Sequence, residues 1–235
     1  MDTVAVAVKT EKVRKIELVI YKIFCWFVIG GVMGFLIETV WCWFDFGEFT
    51  SRTSNLFFPM SCVWGMGCVL ICILQCTNKQ SNQFFRFVKN AFNCAAFELL
   101  CGWFGELYLG VTFWDYSGMP LHIGKYINLP FCLGWGLLSL AWGKWIYPTL
   151  DAKLEKFLDK TKRNGVRIFI VFMVVTNLIS WTALVRMKER QSDPSPSNYI
   201  EKVYDQYFPD PVLQKYFPKM KDAVSGKKIY ITKAD

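Results

Sequence analysis

The residues able to do chemistry are a few acids and bases among long apolar runs: Glu38, Arg52, Glu98, Glu106, Asp115, Tyr116, His122 and Lys125. A charge in such surroundings is costly unless it is paired or turned toward a polar cavity, so these residues point to a ligand-binding or conducting site. Gly30, Gly34 and Glu38 recur at i, i+4 and i+8, a small-residue stripe that admits a second helix and turns the acid toward protein. Glu98, Gly102 and Gly105 share a face in the same way, with Glu106 one position on. The stretch 112–120, holding Trp114-Asp-Tyr-Ser117, separates two apolar runs and belongs at a membrane surface, where rings and a paired acid are stable. Arg52 and Asp115 are expected in connectors just above Glu38 and Glu106. The competing reading is structural: a Glu38–Arg52 pair that only holds two helices together.

His122 is the single histidine, near Asp115 and Lys125; it is either a solvated loop residue or a proton carrier. Cys68, Cys72 and Cys76 have the helical spacing of a soft-metal column, but thiols in an apolar helix usually pack as small hydrophobes. No metal or cofactor is expected. The nine cysteines form no tight loop pairs, so no disulfide framework is indicated.

These residues need elements to hold them. The chain has 235 residues, 53% hydrophobic, with several windows near the ~20 residues that cross a bilayer as helix. The expected fold is all-α, a polytopic transmembrane helical bundle of about five spans at 16–44, 57–76, 87–113, 127–147 and 166–185. Residues 1–15 read as a cytoplasmic basic N-tail, 16–187 as the transmembrane domain, and 188–235 as a polar tail carrying a short amphipathic helix. The first apolar run is too long for a signal peptide, so it reads as a retained helix. In the tail, Asp193-Pro-Ser-Pro-Ser breaks the chain, and Tyr199, Val203, Tyr207 and Phe208 then recur at helical spacing. Trp41, Trp43, Trp114, Trp142 and Trp145 fall near span ends, as an interfacial belt does.

A net charge of +8 would suggest nucleic acid in a soluble chain, but here the basic residues flank apolar segments, which points to membrane lipids as partners and to no nucleic acid. Lys9, Lys12, Arg14 and Lys15 precede the first span; Lys79, Arg86 and Lys89 follow the second; Lys153, Lys156, Lys160, Lys162 and Arg163 follow the fourth. The other two connectors hold only Arg52 and Lys125, so the N-terminus is expected in the cytoplasm of a multi-pass cell-membrane protein. Five spans then place the tail outside although it begins with Arg186, Lys188 and Arg190, a parity conflict.

The run Gly34-Phe-Leu-Ile-Glu38, Phe49-Thr-Ser-Arg52 through Pro59, Trp64-Gly65-Met-Gly67, Phe97-Glu98-Leu, Trp114-Asp-Tyr-Ser117, Pro120-Leu-His-Ile-Gly124-Lys125 and Leu133-Gly-Trp135-Gly136 resembles a bacterial membrane-protein family. That family is named Putative ABC-transporter type IV, or CmpB-like, and the order and spacing cover most of 25–150. The Tyr207-Phe-Pro and Tyr216-Phe-Pro-Lys-Met steps resemble its C-terminal pattern. The chain departs from the pattern at Ser51-Arg52-Thr53, where an Asn-Arg-Gly-like step is usual, at His122 for Asn and at Lys125 for Arg. The resemblance implies a permease-like component of an ABC transporter rather than an enzyme. The chain has no Walker A pattern, so ATP hydrolysis would fall to a separate subunit, with a homo-oligomer as the other arrangement. The connector 151–162, with Leu154, Phe157 and Leu158 on one side, is the candidate contact for such a subunit. The alternatives are a membrane enzyme or accessory acting on lipid or envelope intermediates, with Asp115 or His122 as general base, and a structural partner of another membrane protein.

Overall fold

The computed structural model describes residues 2–47, 49–77, 82–218 and 220–223; Lys79, the Lys9 side chain and 224–235 lie outside the described residues. The first helix, α1, runs from Asp2 to Phe46 and takes in the basic N-tail. Its segment Glu11–Phe44 and the helix α6, Arg163–Glu189, are long and apolar enough to cross a membrane. Between them lie α2 (Cys62–Thr77), α3 (Gln83–Phe104), α4 (Leu129–Ala141) and α5 (Tyr147–Lys160), and the tail adds α7 (Tyr199–Tyr207) and α8 (Asp210–Tyr216).

Two of the expected boundaries move, each for a local reason. Residues 57–60 are apolar yet not helical, because Asn55 Oδ1 accepts the N–H groups of Phe57 (2.8 Å) and Phe58 (3.0 Å) and turns the chain before Pro59. The helix then starts at Cys62, whose N–H meets Ser54 Oγ at 2.6 Å. The fourth expected span and the basic connector behind it are one rod, since the π-helical turn Trp142–Ile146 carries α4 directly into α5. A wider turn suits Pro148, which has no N–H to give the turn behind it. A second π turn, Gly105–Leu109, prolongs α3 until Gly110, at φ 63°, ends it.

The all-α expectation also misses four two-residue strands. Val111–Thr112 (β1) pairs antiparallel with Lys221–Asp222 (β4), and His122–Ile123 (β2) pairs with Ile127–Asn128 (β3).

Packing follows the small-residue stripe. A Cβ on Gly34 would overlap the Trp64 side chain, and one on Gly30 the Cys68 side chain, so α1 and α2 cross at close range. Gly136 admits Phe87 and Ala91 between α3 and α4 in the same manner. Trp26, Cys68, Ile71, Cys72, Cys94, Trp142 and Leu154 form one core cluster, which makes Cys68 and Cys72 packing residues. Trp142 is therefore core, whereas Trp41, Trp43 and Trp145 are exposed as a belt requires. Inside the bundle Gln75, Asn90 and Ser139 are buried together: Gln75 Nε2 and Asn90 Nδ2 donate to Ser139 Oγ at 3.2 and 2.7 Å, and Arg86 Nη2 reaches Gln75 Oε1 at 2.6 Å. These groups have exchanged water for one another, the condition for burying them at all.

The two ends of the bundle are held differently. At one end α1 meets α5 and α6 through ions: Lys22 to Asp151 (2.8 Å) and Glu17 to Arg163 (2.9 Å) and Arg167 (2.5 Å). At the other, the polar stripe of α6 grips the connector before α2. Asn55 Nδ2 donates to Thr176 Oγ1 (3.1 Å), the Leu56 N–H to Ser180 Oγ (2.9 Å), and Cys62 Sγ to Asn177 Oδ1 (2.9 Å). Outward, α1 and α6 expose Ile20, Leu36, Val40, Ile168, Val171 and Leu178, an apolar exterior that water does not tolerate over such a length.

Candidate functional site

The Glu38 carboxylate sits on the protein-facing stripe of α1, and both of its oxygens are engaged. Oε2 accepts from Arg52 Nε at 3.1 Å, and Oε1 accepts from the Trp64 indole N–H at 2.8 Å. The pair joins helix α1 to the connector before α2, and the indole joins both to α2. Trp64 in turn packs on Trp135 of α4, with ring centroids 4.8 Å apart.

Glu98 of α3 completes the group. It is 8% exposed; the side chains of Trp135 and Tyr116 face its carboxyl group, and Oε2 has no hydrogen-bond partner among the described residues. Tyr116 arrives from the connector 110–128. Its backbone N–H donates to Lys125 O at 2.9 Å, and its ring stacks on Phe131 at 5.2 Å. Burial pushes its phenol above the ordinary tyrosine range, with the charges of Glu98 and Glu38 adding to the effect, so it stays a neutral donor at physiological pH. Two acids, one guanidinium and three donor-bearing rings from four helices and two connectors thus converge at one end of the bundle.

The other expected site residues fall apart into separate contacts. Glu106 makes an ion pair with Lys125, which also lies 5.6 Å from the centre of the Tyr126 ring. Asp115 Oδ1 accepts the Ser117 N–H at 2.9 Å, and Oδ2 faces Lys221 of β4 at 3.6 Å. The Ser117 bond, with Lys221 behind it, holds the Asp115 carboxyl below the usual carboxylate range. His122 is exposed on the β2–β3 hairpin, its Nδ1 2.9 Å from Gly124 O. Sequence spacing placed His122 near Asp115, but the hairpin turns the imidazole back on its own backbone.

Sequence reasoning passed over three contributors. Trp64 and Trp135 supply the rings and the Glu38 donor; room for the Trp64 ring comes from Gly34 on α1, the one part of this arrangement with a signal in the sequence. Thr53 is 8% exposed, and its hydroxyl binds Asn55 O (2.9 Å) and Met60 O (3.1 Å), folding the loop that presents Arg52. The third contributor is the tail. Arg186, 5% exposed, pairs with Asp205 through two nitrogens (2.9 and 2.8 Å) and with Glu201 (3.2 Å). Arg190 binds Asp205 (2.6 Å) and Asp210 (2.5 Å), while Lys188 lies 3.7 Å from Asp222. Tyr204, Phe208, Leu213 and Phe217 do the packing, whereas Tyr199 and Tyr207 of the expected apolar face are exposed.

Membrane-length apolar helices, an apolar exterior and an ion–aromatic cluster between helices are the features of a helical membrane protein. A family model described as Putative ABC-transporter type IV matches residues 25–181, and the chain belongs to that family. The match takes in the whole Glu38–Glu98–Tyr116 cluster and stops before the tail clamp. No curated protein and no solved structure matches the chain.

Proposed function

We propose that this protein is a multi-pass, permease-like component of an ABC transporter, with α1, α2, α3, α4 and α6 as five spans. The Glu38, Arg52, Glu98 and Tyr116 cluster is its ligand site, near the outer face. The observation that carries this reading is Glu98, a buried carboxyl with an unpartnered oxygen beside a second acid whose only ion partner among the described residues is Arg52. A scaffold has no use for such an acid, since an apolar residue of like volume packs there without the desolvation cost.

The topology gains support from the tail. Arg186, Lys188 and Arg190 face carboxylates of the tail itself, so they are weak orientation signals, and the parity conflict of a five-span, N-inside chain loses its force. Glu106 and Lys125 lie at the same end and shape the rim. The exposed side of α5, with Phe157 outward and Leu154 and Leu158 packed inward, is the face offered to a separate ATPase subunit.

The double variant Glu38→Gln with Arg52→Ala tests the site. It removes both charges together, so it avoids a stranded ion and is expected to fold, as size exclusion would report. Uptake or growth in a strain lacking the native protein is expected to stay abolished. Recovery of growth together with folding would overturn the site and leave a scaffold.

A further inference from the structure

We infer that the cluster takes a small organic cation bearing an ammonium group, an inference that rests on the ligand-site reading above. The charges are unequal: Glu38 is paired with Arg52, while Glu98, beside Glu38, has no ion partner among the described residues. Arg52 is committed to Glu38, whose second oxygen is held by Trp64, so the carboxylate with capacity to accept is Glu98. Its Oε2 is buried, and the side chain as a whole is 8% exposed.

The walls suit a cation as well. Trp64 and Trp135 lie 4.8 Å apart at 53°, and Tyr116 stacks on Phe131 at 5.2 Å, so the two rings beside the carboxyl group, Trp135 and Tyr116, each belong to an aromatic pair whose quadrupoles attract positive charge. An anion would find Arg52 already taken by Glu38 and would lie beside a second acid, Glu98. A neutral hydroxyl could donate to Oε2 but would bring no counter-charge to the acid. An ammonium instead donates N–H groups to Oε2 and lays its alkyl part on the rings, answering both features at once. Entry is from the connector side, where the Glu38 and Arg52 side chains keep 29% and 22% of their surface exposed.

The test uses the full chain in lipid nanodiscs and three size-matched probes: n-butylammonium, n-butyrate and n-butanol. Binding is read as a saturable rise in thermal unfolding midpoint, followed by size exclusion. Butylammonium is expected to saturate, and the other two are not. Glu98→Gln should weaken butylammonium at least tenfold while eluting as the native protein does. Should Glu98→Gln fail to fold, Trp135→Leu keeps every charge, removes one ring face, and is expected to weaken binding severalfold. Saturable binding of butyrate, undiminished butylammonium binding in the folded variant, or no saturable binding by any probe would each overturn the inference. The uptake result for the Glu38→Gln, Arg52→Ala variant is independent of these titrations. An ammonium-blind protein that still needs those two charges keeps its ligand site and loses only the proposed substrate class.

Discussion

The cluster around Glu38 and the clamp around Arg186 are both arginine–carboxylate assemblies, yet they are built on opposite principles. In the clamp each guanidinium is nearly buried and meets more than one acid: Asp205 and Glu201 for Arg186, Asp205 and Asp210 for Arg190. The acids are drawn from α7 and α8, so the charges fasten the tail to α6 as a disulfide fastens two segments in other proteins. Around Glu38 one arginine meets one acid, and the second acid, Glu98, has no ion partner among the described residues and a carboxyl oxygen left bare. Saturated networks specify one arrangement; an unsaturated one holds capacity for something else. The contrast separates a fastening from a site although both contain the same chemical groups.

The hardest way to break the comparison is Arg186→Ala. It strands Asp205 and Glu201 beside a single remaining arginine, and losing one member of a buried network typically costs ~3 to 5 kcal/mol. Chemical denaturation should register that loss, and limited proteolysis should find α7 and α8 released. Resistance equal to the parent's would mean that the apolar contacts of Leu213 and Phe217 hold the tail unaided.

A smaller effect is expected from Gly34→Leu, which forces α1 away from Trp64 and with it the indole from Glu38. Overpacking at a close crossing costs ~1 to 3 kcal/mol, while Gly134→Leu on α4, with nothing near its missing Cβ, should cost little. The difference in unfolding midpoint between the two variants measures the crossing. Identical midpoints would remove the close approach on which the cluster depends.

Acid should discriminate next. The Arg186 hydrogen bond, with Arg190 behind it, holds the Asp205 carboxyl below its ordinary value. A depressed carboxylate contributes its stability above the unfolded value, ~3.9, and loses it as pH falls through the folded one. Protease protection of the tail is therefore expected to be flat from pH 8 to 5 and to fail only below about pH 4. A loss of protection between pH 5 and 7 would contradict the pairing.

How much of this was legible in the residues themselves differs between the two regions. The Gly30, Gly34, Glu38 stripe is a local, periodic pattern, and it gave the helix face, the close partner and the placement of the acid. Glu38 with Arg52 was legible for the same reason, fourteen residues apart on neighbouring elements. Trp135 was not, because its place opposite Trp64 is set by how two helices distant in sequence come together. The tail clamp was not legible: Arg186, Lys188 and Arg190 stood as a parity conflict, since a linear count sees a cation and not the Asp205 that faces it. Likewise the apolar residues 57–60 look like helix until the Asn55 side chain captures the N–H groups of Phe57 and Phe58.

The smallest expected effect bears on whether the two regions are joined. Asp115 touches both: one oxygen closes the turn onto the Ser117 N–H and so presents Tyr116 toward Glu98, while the other faces Lys221 of β4 in the tail. The Lys221 contact is 3.6 Å long, and its side chains are 37% and 26% exposed, so it is worth ~0 to 1 kcal/mol. Asp115→Asn keeps an acceptor for Ser117 and gives up the charge; Asp115→Ala gives up both. If the turn is what matters, Asn should support growth in a strain lacking the native protein nearly as well as the parent and Ala should fall clearly below it, with unfolding free energies within about 1 kcal/mol throughout. Lys221→Met should then resemble Asn. If Asn and Lys221→Met are instead as impaired as Ala, the ion pair and not the turn positions Tyr116, and the tail is a working part of the site rather than a fastening beside it.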